Sequence, residues 1–451
     1  MNQQQILDEL ANLNPPQTEF NANAIKKALQ LCDEPQHKYK VIHIAGTNGK
    51  GSTAAFLEAG LLAAGYRVGK YTSPYIHCLN ECILLNQQQI SDNDLANLYL
   101  ELKELLKPSS IVLSSFEMLT LIMFVYFARC GIEYLVLETG LGGLDDATNV
   151  VDSQYSVITN IALEHTQWLG NSLADIARHK AGIIHHGKAV IADTTPELIA
   201  AVSARSNNYV NVLEKYNYHS ELDSSRFIMR LWFASKGNDI LNPIHHPRSL
   251  IYSSPTMCRL RHKSPTSIST RVCSNQFEYS KYVELGLFGY FQARNFLAAY
   301  EVLQDIGISD TMIFAAAKTV KWSGRLQLLQ KYPQIIADAS HNADGCRVLV
   351  QSLEKFINPA DCVVIASVLR DKDRGKMLEL YAKLATTLVV CNLFDQPRAT
   401  PARELAKLAY GKFEQIHVYN SPLTALAAAK RMKKKFIIIS GSTYLLKYFV
   451  K

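Results

Sequence analysis

Short apolar runs alternate with longer stretches of helical periodicity over residues 1–200. The apolar runs have the length of strands and end in polar residues, and Ser91 with Asp94 three residues later is typical of a helix start. The predicted strands cover residues 41–45, 66–72, 133–138, 155–161 and 189–192, and the predicted helices cover residues 21–32, 53–65, 91–106, 115–128 and 173–180. This alternation predicts a doubly wound, mostly parallel sheet whose ligands bind at the carboxyl ends of the strands.

A second alternation of strands and helices begins after Gln292. Its predicted helices cover residues 293–306, 310–319 and 344–356, and its predicted strands cover residues 335–338, 363–368, 387–391 and 436–440. We therefore predict an α/β protein with two domains, residues 1–290 and residues 291–451. The second domain is expected to be smaller and Rossmann-like.

Residues 205–282 interrupt this pattern. Their periodicity is poor, and Tyr, Ser, Asn, Arg and Pro are frequent. Short strands are predicted near residues 227–233 and 282–288, with a loop or insertion over residues 243–275. The segment carries 11 Lys and Arg against 5 Asp and Glu, so it is basic. We treat it as a divergent, loop-rich part of the first domain.

Composition narrows the class of protein. The chain has 451 residues, of which 48% are hydrophobic and 19% charged, as in globular proteins. No 18-residue stretch is apolar and free of charge, and residues 1–19 are polar. We expect a cytoplasmic protein with no membrane partner, and a monomer.

Charge and cysteine content exclude two further classes of site. The net charge of +7 is not arranged in a recognisable nucleic-acid-binding module, so no nucleic-acid partner is expected. The nine cysteines are scattered, with no pair spaced as C-x-x-C. We expect bystander thiols rather than a metal centre or a disulfide framework.

The strongest chemical signal is the turn after the first predicted strand. Gly46, Gly49 and Gly51 form a loop that also holds Lys50 and Ser52, and a helix follows. Backbone N–H groups and the positive end of the helix can bind phosphate there, while the lysine adds charge and the serine can ligate Mg²⁺. An ordinary strand-to-helix turn is the alternative. The first sheet is therefore predicted to carry a P-loop.

Several ordered motifs together resemble the folylpolyglutamate synthase/dihydrofolate synthase family of the Mur-ligase-like superfamily. They lie at residues 45–53, 72–74, 80–81, 138–143, 146–150, 158–165, 169–170, 180–183, 292, 295, 323–325, 338–342, 371–373 and 397–399. The resemblance spans the chain outside residues 205–282. It implies an ATP-binding, Mur-ligase-like central domain at residues 1–290 and a glutamate-ligase domain at residues 291–451.

The resemblance also implies which residues bind ATP and metal. Glu138, His165 and Ser52 correspond to the Mg²⁺ ligands of the family. The residues that correspond to ATP-binding positions are Gly46, Thr47, Asn48, Gly49, Lys50, Gly51, Ser52, Thr53, Asn295, Arg325 and Asp338. Without the phosphate loop, a strand-end carboxylate and a loop histidine would explain Glu138 and His165 equally well.

Three residues are candidates for catalysis, and a further group for acceptor binding. Lys50 would hold the phosphates, Lys180 matches the lysine that is carbamylated in this family, and His341 would lie near the transferred phosphate. For Lys180 a surface helix lysine is the alternative. The residues expected on the pterin side are Thr72, Ser73, Pro74, Glu81, Phe116, Gly142 and Asp146.

The implied activity is ATP-dependent addition of L-glutamate to dihydropteroate, to folates or to both, through an acyl phosphate. Two alternatives stay open: a Mur-type amide ligase for another acid acceptor, and a non-catalytic nucleotide-binding paralogue. The acceptor side departs from the usual family pattern more than the ATP side does. The departures are Tyr75, Cys82, Leu144, Asp145, Glu164 and Phe291.

Overall fold

The structure is a computed structural model that describes residues 3–13, 21–236 and 281–450. Helices and strands alternate along most of these ranges. The helices are α1 Gln3–Ala11, α2 Asn23–Leu31, α3 Lys50–Ala63, α4 Asp92–Leu106, α5 Ser115–Cys130, α6 Thr166–Leu169, α7 Leu173–Ala181, α8 Pro196–Ser203, α9 Val212–Lys215, α10 Gln292–Asp305, α11 Asp310–Thr319, α12 Ala343–Leu353, α13 Arg374–Tyr381, α14 Ala402–Ala409, α15 Pro422–Arg431 and α16 Thr443–Leu446. The strands are β1 Lys40–Ala45, β2 Val68–Tyr71, β3 Ile83–Leu85, β4 Gln88–Gln89, β5 Tyr134–Glu138, β6 Tyr155–Ile158, β7 Lys188–Ile191, β8 Tyr209–Asn211, β9 Tyr216–Asp223, β10 Ile228–Ser235, β11 Lys281–Leu285, β12 Gln327–Lys331, β13 Gln334–Asp338, β14 Cys362–Ala366, β15 Thr387–Cys391, β16 Gln415–Tyr419 and β17 Phe436–Ser440.

The first sheet has eight strands in the described ranges, in the order β4-β3-β2-β5-β1-β6-β7-β8. Its strands are parallel except for β3 and β4, which run antiparallel at one edge. In the central pair, Ile44 of β1 lies opposite Glu138 of β5, so the loop after β1 and the carboxylate of β5 share one edge. The predicted doubly wound, mostly parallel sheet is confirmed.

Local sequence accounts for the helices that frame this edge. The Ser91 hydroxyl accepts a hydrogen bond from Asp94 N and begins α4, as predicted. Ser114 and Glu117 form a capping box at the start of α5, and Gly131 ends this helix in the left-handed conformation. Helix α3 begins at Lys50 instead of at residue 53, so the lysine of the phosphate loop lies in its first turn.

A small antiparallel sheet follows, with the strand order β11-β10-β9. Alternate residues of β10, such as Leu231 and Phe233, are buried in the core, where Phe233 packs against rings of α10 and α11, while their neighbours are more exposed. The strands predicted near residues 227–233 and 282–288 are confirmed with small shifts in their bounds. The loop predicted over residues 243–275 lies outside the described residues.

The C-terminal sheet has the order β12-β13-β17-β14-β15-β16 and is parallel except for β12. Its two faces are covered by separate hydrophobic clusters, as expected for a Rossmann-like layer. The second α/β unit is therefore confirmed. Strands β12 and β16 were missing from the sequence prediction because they are short, partly exposed edge strands with weak patterns.

Helices α10 and α11 pack against α3 and belong to the core of the first sheet. The change from the first core to the C-terminal core falls between Val320 and Leu326. The boundary predicted after residue 290 therefore precedes this change of core, and as a domain division it stays a prediction. In the described part of the chain, no helix is long and apolar enough to cross a bilayer.

Candidate active site

The phosphate loop forms a tight turn between β1 and α3. Gly49 has a φ of 87°, which favours glycine, and it precedes the first residue of α3. Lys50 Nζ donates to Gly46 O at 3.0 Å, so the lysine side chain folds back over the loop. The loop thus presents a helix N-terminus and one ammonium group to the same space.

Each loop glycine is also needed because another part of the protein approaches it. A Cβ at Gly46 would lie 1.9 Å from Thr159 Oγ1, and one at Gly49 would lie 2.4 Å from Asn295 Oδ1. A Cβ at Gly51 would lie 2.9 Å from the ring of Trp322. The spacing of the glycines therefore reflects contacts with the residue that follows β6, with α10, and with Trp322 in the interdomain linker between Val320 and Leu326.

Glu138 lies beside the lysine of the loop. Its Oε1 is 3.7 Å from Lys50 Nζ, and its side chain is 5% exposed. Burial raises the pKa of Glu138, while Lys50 and Arg325 oppose that rise. A cation bound here would stabilise the carboxylate further.

Ser52 and His165 complete the predicted ligand set. Ser52 is buried, and its Oγ is 3.4 Å from Gln292 Nε2. His165 has a φ of 52° and precedes α6; burial lowers its pKa to about 4, so the ring is neutral at neutral pH. One carboxylate, one hydroxyl and one neutral imidazole fit Mg²⁺, which keeps several waters and also binds substrate phosphates. No group of three or more His, Cys, Asp or Glu side chains spaced for a metal ion occurs in the described ranges.

Lys180 is a buried lysine near this cluster. It lies in the last turn of α7 and is 4% exposed. Burial and the positive charge of Lys50 lower its pKa to about 7, while Glu164 and Asp146 oppose the shift. The surface-lysine alternative is therefore wrong for this residue.

A cavity of about 240 Å³ adjoins the loop on the nucleotide side. It is lined by several predicted ATP-binding residues: Asn48, Gly49, Ser52, Asn295, Arg325 and Asp338. Arg325 is half-buried, and its guanidinium forms no hydrogen bond or ion pair with another described residue. It is therefore free to contact a phosphate.

Two larger cavities lie on the other side of the loop. One, of about 600 Å³, is lined by Gly51, Glu138 and Arg325. The other, of about 1030 Å³, is lined by Phe116 and Asp146, two of the residues predicted on the pterin side, and we call it the acceptor cavity. Ser73, Pro74 and His341 line both of these cavities, so they lie between the phosphate loop and the acceptor cavity.

Glu164 joins the two domains beside His165. Its Oε1 lies 3.0 Å from Lys372 Nζ and 3.3 Å from His341 Nε2, and both partners belong to the C-terminal domain. Burial raises the pKa of Glu164, but hydrogen bonding to His341 and the charges of His341 and Lys372 outweigh it and hold the pKa low. The carboxylate is thus an ion-pair centre across the cleft.

Two predicted site residues have hydrogen bonds that hold the backbone. Asp338 accepts from Leu326 N at 2.8 Å and from Ser340 N at 2.9 Å. Glu81 accepts from the amides of Ile76 at 2.8 Å and His77 at 2.9 Å, which fixes the loop after Pro74. Both carboxylates therefore shape the walls of the site, whatever they contact in a substrate.

Three other predicted residues lie outside the cavities described above. Thr47 Oγ1 donates to Ala162 O at 3.3 Å. Thr53 is fully buried, and its hydroxyl has no hydrogen-bond partner in the described residues. Gly142 has a φ of 69° and packs near Leu169. Their roles in binding stay predictions.

Sequence reasoning assigned no role to several residues that the structure brings to the loop. Asn48 N donates to Asn160 Oδ1 at 2.8 Å, and Asn48 Nδ2 donates to Asp344 Oδ2 at 2.9 Å. Asn160 and Lys372 lie inside the quoted motifs, and Asp344 follows one of them. Their position within or directly after those motifs was the sequence signal that could have identified these residues.

Comparison with known proteins agrees with this geometry. Residues 44–227 match the Mur ligase middle domain, and residues 324–443 match the Mur ligase glutamate ligase domain. The chain is 28% identical over 436 residues to the dihydrofolate synthase/folylpolyglutamate synthase of Bacillus subtilis, covering 94% of this chain and 92% of that protein. It is 26% identical over 451 residues to the dihydrofolate synthetase of Saccharomyces cerevisiae, covering 95% and 96%.

Solved structures share the whole fold. A crystal structure of Mycobacterium tuberculosis folylpolyglutamate synthase complexed with ADP and AMPPCP superposes with a TM-score of 0.81 at 24% identity, covering 99% of this chain and 98% of that one. This likeness establishes the two-domain fold. With both Mur ligase domains matched in order and relatives aligned over nearly their full length, the chain belongs to the folylpolyglutamate synthase/dihydrofolate synthase family of the Mur ligase superfamily.

Proposed function

We propose that this protein uses ATP to join L-glutamate to dihydropteroate, to folates or to both, through an acyl-phosphate intermediate. The observation that carries the proposal is the position of Arg325. Its side chain lines both the nucleotide cavity and the cavity beyond the phosphate loop. An unpaired guanidinium there can contact the phosphoryl group both while it is part of ATP and after its transfer to an acceptor carboxylate.

The chemistry requires activation because a carboxylate has a poor leaving group. The acceptor carboxylate oxygen attacks the terminal phosphorus of ATP, the bond to the bridging oxygen breaks, and ADP leaves. The glutamate amine then attacks the acyl carbon, and inorganic phosphate leaves as the amine loses a proton. Lys50 and Arg325 neutralise the phosphate charge, and the loop amides orient it.

The metal-binding part of the proposal rests on the donor set. Ser52, Glu138 and His165 would hold Mg²⁺ beside Lys50. When bound, the ion supplies charge neutralisation to the phosphates. Lys50, 3.7 Å from Glu138, favours the carboxylate form by opposing the rise that burial causes in the pKa of Glu138.

We further propose that Lys180 is carbamylated. Carbamate formation joins a neutral amine to CO₂ and releases a proton, so it needs a lysine that is uncharged near neutral pH. Burial lowers the pKa of Lys180 to about 7, which supports this state. The carbamate should form above pH 7 and be lost as the pH falls through 7, as ¹³C NMR of protein incubated with ¹³CO₂ will measure; Lys180→Met should remove the signal. Persistence of the signal in Lys180→Met would assign it to another group.

The function is tested by phosphate release from ATP with glutamate and one acceptor at a time. We expect release with dihydropteroate, with tetrahydrofolate or with both, and a product heavier by one glutamate. Release with dihydropteroate alone would limit the enzyme to dihydrofolate synthesis. No release with either acceptor would contradict the proposal and favour another acid acceptor or a non-catalytic protein. Cytoplasmic location and a monomeric state stay predictions from the sequence.

A further inference from the structure

A buried histidine that this mechanism does not use is connected to the wall of the acceptor cavity. His43 lies on β1 and is 0% exposed. Its Nε2 is 2.8 Å from Thr148 Oγ1, and that hydroxyl is 2.5 Å from Asp146 Oδ1. Asp146 lines the acceptor cavity. A chain of two hydrogen bonds therefore runs from the central strand to the cavity.

The direction of the two hydrogen bonds follows from counting protons. Asp146 Oδ2 accepts from Leu141 N at 2.6 Å, and Oδ1 accepts from Thr148 N at 3.0 Å, so both oxygens act as acceptors. The Thr148 hydroxyl has one hydrogen, which is directed at Asp146. The hydroxyl oxygen must then accept a hydrogen bond from His43 Nε2, which places the imidazole proton on Nε2.

The environment of His43 agrees with this tautomer. Burial, with a contribution from the charge of His185, lowers the pKa of His43 to about 3, so the ring is neutral and has one N–H. Its Nδ1 is buried without a hydrogen-bond partner in the described part of the chain. Such an unpaired atom is costly, so the hydrogen bond of Nε2 to Thr148 is the interaction that offsets the burial of the ring.

We propose that His43 is a positioning residue for acceptor binding: its Nε2–H orients the Thr148 hydroxyl toward Asp146 and keeps that carboxylate fixed as an acceptor for N–H groups of the acceptor's heterocycle. The inference rests on the proposed function and deepens it. Burial raises the pKa of Asp146, while the Thr148 hydroxyl and nearby backbone amides oppose that rise. Loss of His43 would free the Thr148 hydroxyl to rotate. The hydrogen bond from this hydroxyl to Asp146, which favours the carboxylate form, would then be weaker.

The test compares acceptor binding with ATP binding in three single variants. His43→Phe and Thr148→Val should each raise the KM for the pterin acceptor by about tenfold, with kcat and the KM for ATP changed by less than about twofold. His43→Gln places an amide N–H near the position of Nε2 and should stay within about threefold of wild type. The double variant His43→Phe/Thr148→Val should show no additional increase, because both changes break one chain.

Three outcomes would overturn the proposal. They are an acceptor KM within twofold of wild type in His43→Phe, an equal rise of the KM for acceptor and for ATP, and additive effects in the double variant. If His43→Phe does not fold, the other two variants decide. A raised acceptor KM in Thr148→Val together with a near-normal acceptor KM in His43→Gln supports the proposal. An unchanged acceptor KM in Thr148→Val refutes it. A wild-type enzyme that turns over no pterin acceptor contradicts the proposed function itself. Wild-type turnover with unaffected variants contradicts only the role of His43.

Discussion

The two sides of the phosphate loop are built differently. On the nucleotide side, the side chains of Thr159 and Asn295 lie close against the loop glycines, and the cavity measures about 240 Å³. On the acceptor side, the cavity measures about 1030 Å³ and is lined by side chains from distant segments of both domains. The family departures Tyr75, Cys82 and Asp145 all line this second cavity.

This difference shows which part of the site tolerates change. A phosphate is held by amides and glycines, whose geometry no other residue reproduces. An acceptor is held by side chains in a wide space, where one contact can be exchanged for another. We therefore expect substitutions at the loop to have larger effects than substitutions at the acceptor rim.

The largest expected effect is loss of the loop ammonium. Lys50→Ala should lower turnover on the order of a thousandfold, because the lysine lies beside Glu138 and would neutralise the phosphates of ATP. Phosphate release measures turnover, and an unchanged melting temperature shows that the fold is intact. Lys383→Ala, at an exposed lysine, is the control and should retain full activity. Unchanged turnover in Lys50→Ala would refute the assigned role.

The next largest effect is expected at Gly49, and a comparison with Gly65 separates the cost of backbone strain from the cost of close packing. Gly49 and Gly65 have φ angles of 87° and 86°, but only Gly49 has a neighbour, Asn295, in the space of a Cβ. Both alanine variants should lose about 1–2 kcal/mol of stability from strain. Only Gly49→Ala should also weaken ADP binding, by about a hundredfold, because the loop must shift away from Asn295. Calorimetric titration measures ADP binding, and equal affinities in the two variants would contradict close packing at the loop.

A smaller effect is expected at the ion-pair centre between the domains. Glu164→Gln should lower kcat/KM by about tenfold, because the buried Lys372 then loses its nearer carboxylate and keeps that of Asp371, whose Oδ2 is 3.6 Å from Nζ. The matched control is Glu379→Gln, which removes an exposed ion pair with Lys376 and should change nothing measurable. Steady-state kinetics at saturating ATP measures the change. Equal activities of Glu164→Gln and wild type would show that the domains close without this contact.

The smallest effect is expected at the rim of the acceptor cavity. Tyr75 is 37% exposed and stands where the family pattern has histidine. Tyr75→His should change the KM for the acceptor by less than about threefold, since solvent replaces most contacts of a half-exposed side chain. Titration with dihydropteroate measures it. A larger change would place Tyr75 in direct contact with the acceptor and would reduce the contrast between the two sides.

The parts of the site that were predictable from sequence are those encoded locally. The strand, the glycine loop and the helix with Lys50 are contiguous, so their pattern predicted this strand–loop–helix unit directly, and with it a phosphate site. The positions of Glu138 and His165 followed from strands that end at one edge of a parallel sheet. The fold class was predictable for the same reason, since buried parallel strands give strong apolar runs.

Contacts that depend on the packing of distant segments were not predictable. The bond from Asn48 to Asp344 joins residues on different domains, and the orphaned nitrogen of His43 is visible only once the strands are packed. Helix α10 was predicted to belong to the second domain because the second alternation of helices and strands begins with it. Its apolar face instead packs on α3, and no local pattern reveals the partner of an amphipathic helix.

The linker tryptophan has a further consequence for how the two domains move. The Trp322 ring packs against Gly51, and Lys70 Nζ lies 4.7 Å from the ring centroid, so the linker is anchored to the first domain. Arg325 follows three residues later, and three residues span at most about 11 Å. A tether this short keeps the effective concentration of the guanidinium at the phosphates in the millimolar range or above. Rotation of the C-terminal domain therefore changes the orientation of the arginine far more than its availability.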